Sequence, residues 1–304
     1  MANGADDKQR ITISKQEREK IFSLAKKLTG FCSPTGYEDD IRSYLVERLD
    51  KNCEISTDRL GNVIAQIRGT GATPRPKLML SAHIDEIGFM ISYITKSGFL
   101  RVVKVGGQNI RILPGQRVTV FSDHGEFNGV IAEKPIHLLD QDERKKLVKE
   151  EELFIDIGVA SKEEALEHVS IGDYITFRPQ CEWLGPGDVF SCKSGDDRMG
   201  VLVQLLILEH LVKNPVAWDI IGVFSTQEEI GIRGATVSTY SVEPDAAIVL
   251  EVTHAIDFPG ISQEKFGETE LGKGPSIAMG PNMHPRLTKH IIATAHKHDI
   301  PYQR

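Results

Sequence analysis

The chain has 304 residues, 40% of them hydrophobic and 26% charged, a balance that excludes collagen, coiled coil and wholesale disorder and leaves one large globular domain or two ordinary ones. That length buries a sizeable core without disulfide or metal staples. Lys and Arg number 36 against 43 Asp and Glu, a net charge of −7 with no basic stripe interleaved with aromatics, so neither nucleic acid nor an anionic membrane is an expected partner.

The first ten residues hold no apolar core and so do not form a signal peptide. Ser14 and Glu17 have capping-box spacing, and Ile21, Leu24, Ala25 and Leu28 follow at helical period up to Gly30. Thr35 and Glu38 repeat that signature ahead of Ile41, Leu45 and Leu49, which predicts a second helix. Residues 59–62 separate two β-type runs as a hairpin turn does. Residues 77–82, bounded by Pro76 and His83, read as a buried strand. Short β-type runs then alternate with turns over residues 89–94, 99–105, 117–121, 129–132, 153–157 and 174–177, interrupted by a charged helical stretch at 140–152. Strand and helix alternate again afterwards. A long helix over 197–213 carries the stripe Val201, Leu205, Leu208 and Val212; strands at 220–224 and 246–250, a helix at 285–298 and a strand-like stretch at 300–304 follow. The predicted class is α/β, a mostly parallel sheet with helices on both faces. Its parts are residues 1–87 and 179–304, with a β-rich insert at 88–178.

Four acidic or imidazole clusters sit at strand ends or beside a helix start. His83 and Asp85 follow the strand at 77–82. Residues two apart in extended chain share a face, so Asp85 can accept a hydrogen bond from one imidazole nitrogen while the other binds a cation. Taken alone, the pair reads as well as a strand end bonded to loops. Asp196 and Asp197 precede the long helix, where Asp196 suits an N-cap or a carboxylate that offers its two oxygens to two ions. Glu228 and Glu229 stand side by side after the strand at 220–224, where their repulsion is a cost in the absence of a ligand. Glu251 follows the strand at 246–250, as a solvated strand end or a ligand. Together these carboxylates and one histidine line a single crevice of a parallel sheet, a donor set that suits zinc, cobalt or manganese and, if shared between two ions, a two-metal hydrolase.

Other chemistries lack their motifs. No H-E-x-x-H, P-loop or G-x-S-x-G sequence occurs. Cys32, Cys53, Cys181 and Cys192 form no C-x-x-C pair, which excludes a zinc ribbon, a thioredoxin motif and a disulfide scaffold. No run approaches the roughly 18 apolar residues of a membrane span, and the expected location is the cytoplasm.

In this order the clusters resemble the M42 family, the glutamyl-aminopeptidase-like dinuclear metallopeptidases that include deblocking and tetrahedral aminopeptidases. The matching segments are SAHIDEIGF at 81–89, KSGDDRMG at 193–200, TQEEIGIRGA at 226–235, EVTHA at 251–255 and GKGP at 272–275. The resemblance implies a phosphorylase/hydrolase-like fold whose insert is a PDZ-like dimerisation domain. It implies that His83, Asp196 and Glu251 hold one zinc or cobalt ion, with Asp196 bridging to a second ion also held by Glu229. Glu228 becomes the general base and Asp85 the residue that orients His83. The implied activity is removal of N-terminal residues from peptides by a metal-activated water, and the implied assembly is a dimer or a tetrahedral dodecamer. Glu251 stands where many relatives carry Asp, and Lys193-Ser194-Gly195 replaces a more apolar run. Relatives are further expected to continue past Arg304 with a histidine for the second metal, which leads us to expect one tight site, one weak site and little peptidase activity.

Two other functions compete. In an endoglucanase-like glycoside hydrolase, Glu228 and Asp196 would serve as acid and base, but His83 beside Asp85 would have no task. A non-catalytic assembly subunit would use only the insert. Turnover that survives a strong chelator distinguishes the first, and absence of metal-dependent peptidase activity the second.

Overall fold

The predicted capping box forms: Ser14 N–H donates to Glu17 Oε2 at 2.9 Å, Glu17 N–H donates to Ser14 Oγ at 3.2 Å, and α1 runs Lys15–Thr29. The computed structural model describes residues 13–49, 51–185 and 188–304; the N-terminal decapeptide read for a leader lies outside them. Helix α2 (Asp39–Leu49) buries Ile41, Leu45 and Leu49 as their spacing predicts. It starts after Glu38 rather than at Thr35, because both side chains of that second capping signature are bound elsewhere.

Strands β1 (Glu54–Thr57) and β2 (Val63–Ile67) form the expected hairpin. In its turn Asp58 Oδ1 accepts the N–H groups of Leu60, Gly61 and Asn62 at 2.9, 3.0 and 3.0 Å. Next come β3 (Lys77–His83), β4 (Gly88–Ile94), β5 (Leu100–Val105), β6 (Arg117–Ser122), β7 (Gly125–Ala132), β8 (Phe154–Asp156), α3 (Lys162–Leu166) and β9 (Tyr174–Phe177). The hairpin β10 (Cys181–Leu184) and β11 (Val189–Cys192) leads into α4 (Gly195–Lys213), β12 (Asp219–Ser225), α5 (Arg233–Val242) and β13 (Ala246–Val249). Helices α6 (Gln263–Phe266) and α7 (Pro285–Lys297) complete the order.

The chain divides into two units, Ser23–Glu251, and Val252–Arg304 with the chain up to Phe22. In the first, a five-stranded sheet has the order β1-β2-β12-β3-β13. Its β12, β3 and β13 run parallel, whereas β2 joins β12 and β1 antiparallel. The expected mostly parallel sheet is therefore mixed, since a tight turn between β1 and β2 leaves no room for the crossover that parallel pairing requires. Every residue of β12 and all of Met79–His83 in β3 are buried, as central strands covered on two faces must be. Strand alternation sorts the helices. Ile221 and Val223 cluster with Val242 of α5, while a Cβ at Gly222 would meet Leu208 of α4 at 2.6 Å, so α4 and α5 cover opposite faces.

Where the resemblance implies a PDZ-like insert, β4-β5-β8-β7-β6-β9 close into a six-stranded barrel. Phe89, Ile91, Leu100, Val118, Val120 and Ile155 fill it together with Ile175. The charged stretch at 140–152 forms two short 3₁₀ turns, Glu143–Lys145 and Glu150–Glu152, instead of an α-helix. Leu147 and Val148 are its only apolar residues and are adjacent, so no helical stripe exists to bury; Leu147 is exposed. The barrel is tied to the sheet beside the end of β3. Tyr37 stacks on Tyr174 of β9 with centroids 4.1 Å apart, and Tyr37 OH donates to the Gly172 carbonyl at 3.2 Å.

Two elements have no clear sequence signal. Helix α5 is built from RGATVSTYSV, rich in the β-branched and hydroxylated residues that disfavour helix. The β10–β11 hairpin brings Cys181 opposite Cys192, although the sequence separates them widely. Gly234 at the start of α5 is a sterically closed position: a Cβ there would run into the Thr226 carbonyl and the Asn62 side chain. Gly234→Ala is expected to lower stability by about 1–3 kcal/mol, read as a lower urea midpoint; an unchanged midpoint would contradict this packing.

In the second unit, Pro285 opens α7, and His284 Nδ1 accepts the Leu287 N–H at 3.4 Å. The strand-like stretch at 300–304 makes one parallel bridge, Ser276 to Gln303. Gln303 Nε2 also donates to the carbonyls of Glu270 and Gly274 at 3.0 and 2.9 Å. Among the described residues no helix is long and apolar enough to cross a membrane.

Candidate active site

The parallel register places Ser225 opposite His83 and Val249 opposite Ser81. The C-terminal ends of β3, β12 and β13 therefore share one edge, the edge at which open α/β sheets hold ligands. His83 closes β3, Glu228 and Glu229 follow β12, Glu251 follows β13, and Asp196 lies in the first turn of α4.

His83 is buried, and its two ring nitrogens face different partners. Nδ1 lies 3.1 Å from the Asp85 carbonyl oxygen and 3.3 Å from Asp85 Oδ1. Both are acceptors, so Nδ1 carries the proton. Nε2 faces only carboxylates: Asp196 Oδ1 at 2.9 Å, Glu251 Oε2 at 3.8 Å and Glu228 Oε2 at 3.9 Å. Burial alone would lower the His83 pKa; hydrogen bonds to Asp196 and Asp85, with the field of Glu251, overcome this and raise it to about 11.

Asp85, wholly buried, is the organising group. Its Oδ2 accepts from Thr35 Oγ1 at 2.7 Å and from the Glu229 N–H at 3.1 Å, and its Oδ1 accepts from the Glu228 N–H at 3.0 Å. Burial opposes its charge, but the contacts with His83, Thr35 and Glu228 more than offset it and hold the carboxyl below its ordinary pKa. The same loop is fixed twice more. Glu38 Oε1 accepts the Gln227 N–H at 3.3 Å, and Asn62 Oδ1 accepts the Thr226 N–H at 2.9 Å. Thr35 and Glu38 are thus site supports rather than a helix cap.

Asp197, which the sequence does not single out beside Asp196, adds a further carboxylate. Its Oδ2 accepts the His83 N–H at 3.2 Å and its Oδ1 the Gly200 N–H at 3.0 Å. Burial first, and then the charge of Glu251, push its pKa up to about 8. Glu229 is raised to about 7 by burial and then by Asp196. Two triplets can each present ligand atoms within 4.8 Å of one another: His83, Asp196 and Glu229, and His83, Asp197 and Glu251. All the carboxylates singled out from sequence converge here, and both triplets contain His83. This crowding of like charges around one imidazole nitrogen creates a demand for positive charge that a divalent cation meets.

Lys193, the charged residue in the run that departs from the relatives, has a partner. Its Nζ donates to Glu86 Oε1 and Oε2, each at 2.6 Å, and to the Phe31 carbonyl at 3.0 Å. Glu86 also accepts the Ser33 N–H at 2.8 Å and the Ser194 hydroxyl. The resulting ion pair is buried, and it pins the segment entering α4 immediately before Asp196. Only the folded contact reveals this, because Glu86 and Lys193 are far apart in the chain.

The chain is similar to known proteins over most of its length. The model of the family described as M42 glutamyl aminopeptidase matches residues 61–304. A lysyl aminopeptidase of Pyrococcus furiosus is 35% identical over 286 residues, spanning 93% of this chain and 80% of its own length. The structure of an aminopeptidase from Desulfurococcus kamchatkensis superposes with a TM-score of 0.86 at 37% identity, covering 94% of this chain and 80% of that one. The Pyrococcus horikoshii TET1 peptidase, described as assembling into a tetrahedron or a large octahedral shell, gives a TM-score of 0.78 at 30% identity, over 93% of this chain and 83% of that one. With the family model covering most of the sequence and these relatives matching nearly all of it, the chain belongs to the M42 glutamyl aminopeptidase family, whose members are hydrolases.

Proposed function

We propose that the chain is a dinuclear-metal-dependent aminopeptidase that releases N-terminal residues from peptides. The observation that carries this reading is the single outward nitrogen of His83 surrounded by carboxylates from β12, β13 and α4. His83 and Glu251 would hold one ion with Asp196 or its neighbour Asp197, and Asp196 with Glu229 the other; Asp196 is the carboxylate able to serve both. One imidazole and several carboxylates suit zinc, cobalt or manganese. When bound, the ions supply Lewis-acid polarisation of the scissile carbonyl and lower the pKa of the attacking water.

The chain's own residues supply the rest. Asp85 keeps the Nδ1 proton of His83 in place, so Nε2 is the nitrogen that a cation would take on displacing its proton. Through the backbone N–H groups of Glu228 and Glu229, it also sets where those two side chains start. Glu229 belongs to a ligand triplet and would help hold an ion, whereas Glu228 belongs to neither triplet and would be the group that takes a proton from water and returns it to the leaving amine.

A glycosidase leaves the His83–Asp85 pairing without a purpose, and chelation separates the two readings. EDTA treatment is expected to lower hydrolysis of an aminoacyl anilide more than a hundredfold, with recovery on adding cobalt or zinc. Calorimetric titration of the stripped protein near pH 7 is expected to release protons, since Glu229 and Asp197 hold theirs to about 7 and about 8 and the cation displaces them. Full activity in EDTA would sink the reading. Self-association also belongs to it. The barrel exposes Ile112, Ile136 and Leu138, apolar surface of the kind that copies of a chain bury, in keeping with the shells formed by the Pyrococcus horikoshii protein.

A further inference from the structure

The barrel contributes two arginines to the cavity that reaches the active site. Arg117 opens β6, and Arg178 follows the last residue of β9. The β6–β9 register pairs Val118 with Phe177, and the Arg178 N–H donates to the Arg117 carbonyl at 3.0 Å, so the two arginines face each other across the ladder. Like charges directly opposite are unfavourable in a sheet. Both residues are exposed, and among the described residues neither side chain makes an ion pair or hydrogen bond.

A cavity of about 890 Å³ is lined by Asp196 and Glu229, and also by Arg117 and Arg178. A smaller one of about 330 Å³ is lined by the same two arginines. Among the described residues, neither Asp156 of the smaller cavity, which accepts the Gly158 N–H at 2.8 Å, nor Glu182 of the larger one makes an ion pair with either arginine. The larger volume suits a short peptide rather than one side chain.

We propose that Arg117 and Arg178 form a carboxylate subsite that receives the C-terminal carboxylate of short peptide substrates. The inference rests on the aminopeptidase reading for its substrate: with the scissile bond beside Asp196 and Glu229, the remainder of the peptide runs through the shared cavity toward the barrel. Two guanidinium forks in the lining of the same cavity meet the one negative charge that every unblocked peptide carries at its C-terminus. Short free-acid peptides are the favoured substrates, and C-terminally amidated peptides are handicapped.

The test compares Leu-Ala-Ala-Ala as free acid, its C-terminal amide, and Leu-Ala-Ala-Glu-amide, by calorimetric Kd and by KM of the metal-loaded protein. The free acid is expected to bind about tenfold more tightly than the amide, with the advantage shrinking as salt rises. In R117Q/R178Q the acid-to-amide ratio is expected to fall below about twofold, and R117K/R178K to restore part of it. Circular dichroism and a thermal melt confirm that each variant is folded. Equal Kd values for acid and amide in the unaltered protein, or a preference that persists in R117Q/R178Q, overturn the proposal. Leu-Ala-Ala-Glu-amide binding as tightly as the free acid overturns the C-terminal assignment in favour of an acidic side chain. Leucyl anilide hydrolysis tests the parent reading separately: its absence sinks the aminopeptidase function, while the Kd comparison still decides the subsite.

Discussion

Glu228→Gln is expected to lower kcat for an aminoacyl anilide by about 10²–10⁴-fold, the range that general acid–base groups contribute, with little change in melting temperature. It is the backbone N–H of Glu228, not its side chain, that Asp85 binds, so the substitution leaves that contact intact. Nor does the Glu228 side chain belong to either metal-competent triplet, so metal content is expected to stay at the level of the unaltered protein. Steady-state kinetics beside metal analysis check both statements. Turnover within tenfold of the unaltered chain would remove Glu228 from the proton-transfer role, and loss of metal would instead make it a ligand.

Asp85→Ala is expected to have the largest effect on stability. The residue has no solvent exposure and faces the His83 ring, the Thr35 hydroxyl and the backbone N–H groups of Glu228 and Glu229. Its removal leaves the Thr35 hydroxyl and the two loop N–H groups without their acceptor and takes away the charge facing the His83 ring, which keeps only the backbone carbonyl of residue 85; breaking a buried charged contact of this kind costs about 3–5 kcal/mol. In a chain of this length that corresponds to a fall in Tm of roughly 10 °C. Asp85→Asn keeps the volume and one acceptor, so it is expected to unfold closer to the original midpoint. It is nevertheless expected to lose activity, because an amide N–H aimed at Nδ1 favours the wrong imidazole tautomer. Urea melts of the two variants, with metal content, test the argument; a loss below about 1 kcal/mol for Asp85→Ala would mean that the loop is held by Glu38 and Asn62 alone.

Much of this site was readable before folding, and what was not has a common cause. His83, Asp196, Glu229 and Glu251 stand out because apolar strands end just before three of them, and strand ends in a parallel sheet meet at one edge. Periodicity also revealed the buried faces of α1, α2 and α4. Thr35 and Glu38 misled because Thr-x-x-Glu is the same pattern whether it caps a helix or binds a carboxylate elsewhere in the chain. Asp197 was hidden by its neighbour: at a helix start two adjacent aspartates look alike, and only burial separates the exposed Asp196 from Asp197. The role of Lys193 depends on Glu86, more than one hundred residues away. Helix α5 was missed because packing on Met79, Ile221 and Val223, not propensity, holds it in place.

The wiring of Asp85 bears on how this protein can change over generations. One carboxylate answers donors from three stretches of chain, so drift at Thr35, at the Glu228–Glu229 loop or at His83 is felt by the others through a shared acceptor. Such positions do not vary independently, and their substitution effects will not sum. They are therefore expected to covary, and lineages that lose one member should be found to have rebuilt the rest.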